Sequence, residues 1–129
     1  MSKNPVVHFE MPYKDGGRVS KFYQDAFGWK MQDAGELMGH YIVAQTAETD
    51  ENNMNQVLGT INGGFYVWSQ DKPNPSFVIS VENLDKAMQD VKKAGGKIIG
   101  EPQDIPTVGL WVVFEDSEGN KASMLQASR

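Results

Sequence analysis

An α+β fold built from two copies of a strand–helix–three-strand module (βαβββ) is what this sequence predicts, on three observations. The first is a weak internal repeat. A shift of 68 residues carries Phe9 onto Phe77, Met11 onto Ile79, Ala26 onto Ala94 and Gly28 onto Gly96, so apolar character and turn glycines survive where identity mostly does not. The second is periodicity, which switches from two to 3.6 residues and back at matching places in each half. The third is size: 129 residues suit one domain with a sizeable core, whereas halves of about 60 residues would each be marginal alone. The expectation is a single domain, 1–129, made of module 1 (4–70) and module 2 (75–127).

In the first half, residues 5–11 alternate, with Val7, Phe9 and Met11 on one face and Val6, His8 and Glu10 on the other, the pattern of a half-buried strand that Pro12 should stop. Val19, Phe22, Tyr23, Ala26 and Phe27 then recur at helical spacing, with Asp15 as N-cap and Gly28 as terminator. Trp29–Asp33 and His40–Thr46 read as strands joined by the Gly35–Gly39 turn, and 48–53 as an exposed polar loop. Residues 56–69 read as a strand opened by Gly63-Gly64, where a backbone or ligand comes close. Either Tyr66 and Trp68 or Phe65 and Val67 should face inward.

Two prolines in 71–75 mark a linker. Beyond it, Ser76–Val81 places Phe77, Ile79 and Val81 on one strand face. Asn83 caps a helix whose buried stripe is Leu84, Ala87, Met88 and Val91, and Gly95-Gly96 ends it. Lys97–Gly100, Leu110–Glu115 and Lys121–Gln126 complete the second set of strands, the last two joined by a turn at 116–120.

Composition removes several function classes. With no cysteine there is no disulfide, thiolate nucleophile or iron–sulfur ligand. A net charge of -5 argues against sequence-independent nucleic-acid binding, which needs lysine and arginine to neutralise phosphates. The apolar runs are too short to span a bilayer as helices. The leading residues 1–5 lack the apolar stretch of a signal peptide, so a cytoplasmic protein is expected. No Walker or dinucleotide fingerprint surrounds Gly63-Gly64, and Ser76 and Ser123 lack the partners of a catalytic triad.

Val-Val-His-Phe-Glu at 6–10, Phe22-Tyr23 with Phe27-Gly28-Trp29, Asn83-Leu84-Asp85 with Ala94-Gly95-Gly96, and the run Phe114 to Asn120 together resemble the vicinal oxygen chelate superfamily, also called the glyoxalase/bleomycin resistance/dioxygenase superfamily. The resemblance implies two βαβββ modules whose curled, mixed sheets form a cup. In metal-dependent members a divalent ion in the cup holds two neighbouring oxygens of the substrate and stabilises an enolate-like charge. Its ligands come from the first and last strand of each module. Other members sequester a ligand in the cup without metal chemistry.

Carried onto this chain, the first ligand position is His8, a histidine as in the metal enzymes. The second-module counterpart is Ser76; the last strand gives Ser123, four residues after Gly119; and the first module offers only Asn62, Gly63, Gly64 or Phe65. Metal binding therefore rests on His8 alone, against the three protein ligands normal for a catalytic site, and no cofactor is expected. His8 and Glu10 are the acid/base candidates, on one strand face about 7 Å apart; a solvated Glu10 near the strand end is the competing reading. Tyr41 and Trp111, 70 residues apart, and Tyr66 are candidate aromatic walls; with His8, Ser76 and Ser123 they make up the expected ligand-binding set. Glu115 and Asp116 read as turn residues.

Three functions stay open: a binding protein of the bleomycin-resistance type; an enzyme acting on a small oxygenated substrate as lyase, isomerase, dioxygenase or transferase, with His8 as base or metal ligand; and an interaction module. The expected partner is a small molecule, with neither nucleic acid nor membrane, and the resemblance implies a homodimer.

Overall fold

The structure, a computed structural model, describes residues 3–52 and 54–128. Met1 and Ser2 of the leading segment, Asn53 of the polar loop and the final Arg129 lie outside them. Each module supplies one helix and four strands. In chain order these are β1 (Val6–Tyr13), α1 (Gly16–Phe27), β2 (Lys30–Asp33), β3 (Ile42–Gln45) and β4 (Asn62–Val67), then β5 (Ser76–Ser80), α2 (Leu84–Lys93), β6 (Lys97–Ile105), β7 (Gly109–Glu115) and β8 (Lys121–Ala127). The α+β, twice-repeated βαβββ order is thus present.

The chain divides into two compact units, His8–Pro75 and the described residues outside that span. In the first unit the strands run β2-β3-β4-β1. β1 and β4 are parallel, pairing His8 with Asn62 and Glu10 with Gly64, and the other pairs are antiparallel. The strand face carrying Phe9, Met11 and Tyr13 packs with Ile42, Ala44 and Phe65 and with Val19 and Tyr23 of α1. The Tyr23 and Trp29 rings stack here with centroids 4.7 Å apart. Oppositely alternating residues, His8 and Glu10 among them, are left for the other face.

In the second unit the order is β5-β8-β7-β6, again with one parallel pair, β5 with β8. Val81, Leu84, Val112 and Met124 form its core, joined by Ile79, Ala87, Met88, Val91, Ile98 and Phe114. Residues ahead of His8 belong to this unit, where the Pro5 carbonyl accepts from Ser80 N (2.9 Å).

Both helix caps form as expected. Asp15 Oδ1 accepts from Arg18 N (2.9 Å) and Asn83 Oδ1 from Lys86 N (3.0 Å), and Gly28 takes the left-handed conformation that ends α1.

Several boundaries differ from expectation. Pro12 does not stop β1: it pairs with Tyr66. The Tyr13 carbonyl accepts from Trp68 N (2.8 Å), so odd-numbered residues bond to β4 and the absent Pro12 N–H falls on the opposite edge, at no cost to this ladder. β4 starts at Asn62 and not near residue 56. Residues 54–61 are irregular, with Met54, Val57 and Leu58 exposed. β3 starts after Tyr41, because His40 sits at φ 57 in the turn that precedes it. β6 is longer than expected and reaches Ile105.

Candidate functional site

The first unit brings three expected site residues into one hydrogen-bonded chain. His8 and Glu10 leave β1 on the face opposite the Phe9 and Met11 side chains, and Tyr41, just ahead of β3, reaches both. Its hydroxyl lies 2.8 Å from His8 Nε2 and donates to Glu10 Oε2 at 3.2 Å. With Tyr41 donating to Glu10, His8 must carry its proton on Nε2 and donate to the phenol oxygen. The reverse polarity, Tyr41 donating to Nε2, requires a protonated Glu10 that donates to Tyr41.

Gly64 makes this meeting possible. It stands beside Glu10 in the register, and a Cβ there would fall within the Tyr41 ring. A Cβ on Gly63 would fall within the Phe9 ring on the other face. The close approach expected at this glycine pair is therefore made by two aromatic side chains, one on each side of β4.

Burial sets the electrostatics. Glu10 is 8% exposed, against the competing expectation of a solvated carboxylate. Desolvation pushes its carboxyl above the usual range, with the Lys72 charge and the Tyr41 hydrogen bond pulling the other way. The same desolvation lowers His8 and raises Tyr41, the latter further through the Glu10 charge and the hydrogen bond to it. Burial therefore favours the neutral form of all three groups.

Tyr66 joins this face from β4, while Phe65 enters the core and Val67 is exposed. The Tyr66 hydroxyl is committed to the Asn74 carbonyl (2.6 Å), which leaves the ring and not the hydroxyl as its working part. Trp68, the expected companion of Tyr66, lies just past the end of β4 under the Lys14 ammonium, 4.8 Å from its ring centroid.

Ser76, Trp111 and Ser123 belong to the second unit. Ser123 lies between Val78 of β5 and Val113 of β7, is 2% exposed, and its hydroxyl finds no hydrogen-bond partner among the described residues. Ser76, at the start of β5, and Trp111, in β7, are half-buried. Asp116 is a turn residue as expected, its Oδ1 accepting from Glu118 N and Asn120 N.

Lys72 is the residue that sequence reasoning missed. Its ammonium lies over the Tyr66 ring, 4.3 Å from the centroid. The stretch 71–75 read only as a linker. A Ser-x-x-Lys turn, with Lys72 N donating to Ser69 O (3.2 Å), brings it back onto the face that holds Glu10. A lone lysine in a proline-containing linker carries no periodic signal.

The first unit contributes two candidate donors toward the divalent ion that the fold family implies. A catalytic site normally has three protein ligands, and among the described residues no group of three or more His, Cys, Asp or Glu side chains could hold a metal ion. His8 and Glu10 are two donors, and the Tyr41 hydroxyl already engages His8 Nε2. Asn62 and Gly64 stand opposite them.

Each unit is a mixed four-stranded α+β module of the βαβββ type, and comparison with known proteins makes the assignment specific. The Glyoxalase/Bleomycin resistance protein/Dioxygenase superfamily matches residues 6–124, and the chain belongs to that family. A glyoxylase-like domain-containing protein of Didymella fabae is 31% identical over 118 residues, covering 89% of this chain and 88% of its own. Among solved structures, a Bacillus halodurans hypothetical protein, BH1468, superimposes with a TM-score of 0.69 at 14% identity, covering 99% of this chain and 97% of its own. A single-residue variant of the Streptomyces coelicolor methylmalonyl-CoA epimerase, in complex with 2-nitronate-propionyl-CoA, does so with 0.69 at 12% identity, covering 99% and 100%. At such identities the two structures speak for the fold alone. No helix among the described residues is long and apolar enough to cross a membrane.

Proposed function

We propose that this family member binds a small oxygenated organic molecule on the face carrying His8, Glu10, Tyr41 and Tyr66, and does so without the family's divalent ion. The observation that carries the reading is the Tyr41 hydroxyl, shared between His8 Nε2 and Glu10 Oε2 at 2.8 and 3.2 Å. Such a chain presents a donor or an acceptor to a ligand oxygen depending on where its protons sit. The Tyr66 ring supplies an apolar wall for a flat ligand. Ser76, Trp111 and Ser123 remain proposed ligand contacts of the second unit, taken by itself. A cytoplasmic homodimer remains part of the proposal, with sizing chromatography as the check on its assembly.

Thermal unfolding of metal-stripped protein with planar oxygenated aromatics tests the reading, because a ligand that prefers the folded state raises the midpoint. Stabilisation should persist in chelator and shrink in Tyr41→Phe, which breaks the hydrogen-bonded chain. Stabilisation that appears only after a divalent ion is restored would overturn it.

Burial of Glu10 supports a second, catalytic reading. A desolvated carboxyl with a raised pKa, hydrogen-bonded to a phenol, is suited to taking a proton from carbon next to a carbonyl and returning it. Deuterium uptake from heavy water into a bound carbonyl compound, abolished by Glu10→Gln, is its signature.

A further inference from the structure

We propose that Lys72 is the specificity-determining residue of this site and selects ligands bearing a carboxylate at one end and a hydroxyl or carbonyl oxygen at the other. The inference rests on the reading above, that the Tyr41 face holds a small oxygenated molecule.

Three features place Lys72 for this task. Its backbone is fixed by the turn from Ser69, whose carbonyl and hydroxyl oxygens both accept from Lys72 N at 3.2 Å. Its ammonium is held over the Tyr66 ring, itself pinned through its hydroxyl to Asn74. A cation resting on a ring face keeps its charge and loses part of the rotamer freedom that an exposed lysine would give up on meeting an anion. Its charge is also felt at Glu10, so the ammonium and the hydrogen-bonded chain belong to one neighbourhood.

The backbone offset between the two ends of the site gives a length scale for the ligand. Tyr66 lies two residues beyond Gly64, against which the Tyr41 ring rests, and two residues along one strand face span about 7 Å. That matches a flat hydroxy acid with its charged and neutral oxygens at opposite ends of one ring. The carboxylate meets Lys72, the ring lies beside the Tyr66 edge next to the ammonium, and the far oxygen reaches the Tyr41 hydroxyl. In a chain of net charge -5, such an anion needs a local cation to enter. Lys14 over Trp68 is an internal control: it has the same charge and the same kind of ring contact, but lies four residues past Glu10, about 13 Å along the β1 direction.

The experiment is a titration of full-length protein with 4-hydroxybenzoate and with 4-hydroxybenzamide, its neutral isostere, followed by 1H–15N NMR, which also reports whether each variant is folded. Wild type and Lys14→Met should bind the acid about tenfold more tightly than the amide, the size expected for one partly desolvated charge-assisted contact. Lys72→Met should bind both alike, and Lys72→Arg should restore much of the preference. Equal affinities in wild type, a preference that survives Lys72→Met, or one that falls as far in Lys14→Met would overturn the role of Lys72 and leave the proposed binding site standing. If neither compound perturbs the amides of β4, the site itself is wrong and this inference fails with it.

Discussion

The two units share one frame and differ at three matched positions. Phe65 pairs with Met11 and with Ile42 in the first unit, as Met124 pairs with Ile79 and with Val112 in the second, so these core residues correspond. One step away, on the opposite face, the first unit has Glu10, Gly64 and Tyr41 where the second has Val78, Ser123 and Trp111. The frame is indifferent to which set it carries. A buried carboxyl is accepted only in the unit where a glycine lets a phenol lie against the strand and offer its hydroxyl. In the other unit a valine takes the place of the acid, and the serine hydroxyl is buried without a partner among the described residues. Polarity at such a position depends on the neighbour that makes room for its hydrogen bond as much as on the residue itself.

Filling the space at Gly64 should break the contrast most. Gly64→Ala places a methyl group where the Tyr41 ring lies, so the ring must leave and Glu10 loses its donor. A loss of about 1–3 kcal/mol is expected from overpacking, read by denaturant unfolding. The double variant with Tyr41→Ala should lose much less than the sum of the two singles, because the removed ring is the obstacle.

Glu10→Gln comes next, and its effect depends on pH. The folded-state pKa of Glu10 lies above its ordinary value of 4.5, so the folded protein favours the protonated acid. Wild type therefore has its full Glu10 contribution below pH 4.5 and loses it as pH rises through the folded value. Glutamine stays neutral throughout. The variant should match wild type in acid and be the more stable of the two at neutral pH. His8 acts in the opposite sense, since its lowered pKa costs stability as pH falls below 6.5. The difference between Glu10→Gln and wild type isolates the carboxyl as long as His8 is present in both. A difference independent of pH would show that Glu10 is not desolvated.

The repeat and the helix limits were legible in the sequence because they rest on local rules. Alternation in β1 assigned His8 and Glu10 to one face, and the Asp15 and Asn83 caps follow from side-chain chemistry at a helix start. The shift of 70 that matched Tyr41 with Trp111 holds in the strand register. Burial of Glu10 was not legible, since alternation names a face without saying what covers it. The cover is Tyr41, 31 residues away in sequence, admitted by a glycine a further 23 residues on. Residues 54–61 misled because Val57, Leu58 and Ile61 resemble a strand in composition; the exposure of Val57 and Leu58 shows that they form no buried face.

Where the frame is shared, the units should respond alike. Asp15 and Asn83 take nearly the same backbone angles, φ -137 with ψ 108 and 109, and accept from the third residue beyond at 2.9 and 3.0 Å. Replacing either with alanine should cost about 1 kcal/mol. Costs differing by more than about twofold would show that helix docking, and not the cap, sets the value in one unit.

The smallest change is expected at Ser123, and its sign is the informative part. Alanine there removes a buried hydroxyl with no partner among the described residues, which relieves a desolvation penalty while giving up little packing. Unliganded protein should therefore gain up to about 1 kcal/mol, the reverse of what Gly64→Ala does at the matched position of the first unit. A loss of stability in the unliganded protein would mean that the hydroxyl is satisfied and that both units keep their polar groups partnered. A gain would show that the two units differ in how they satisfy buried polar groups: Glu10 finds its partner at folding, and the Ser123 hydroxyl finds none among the described residues.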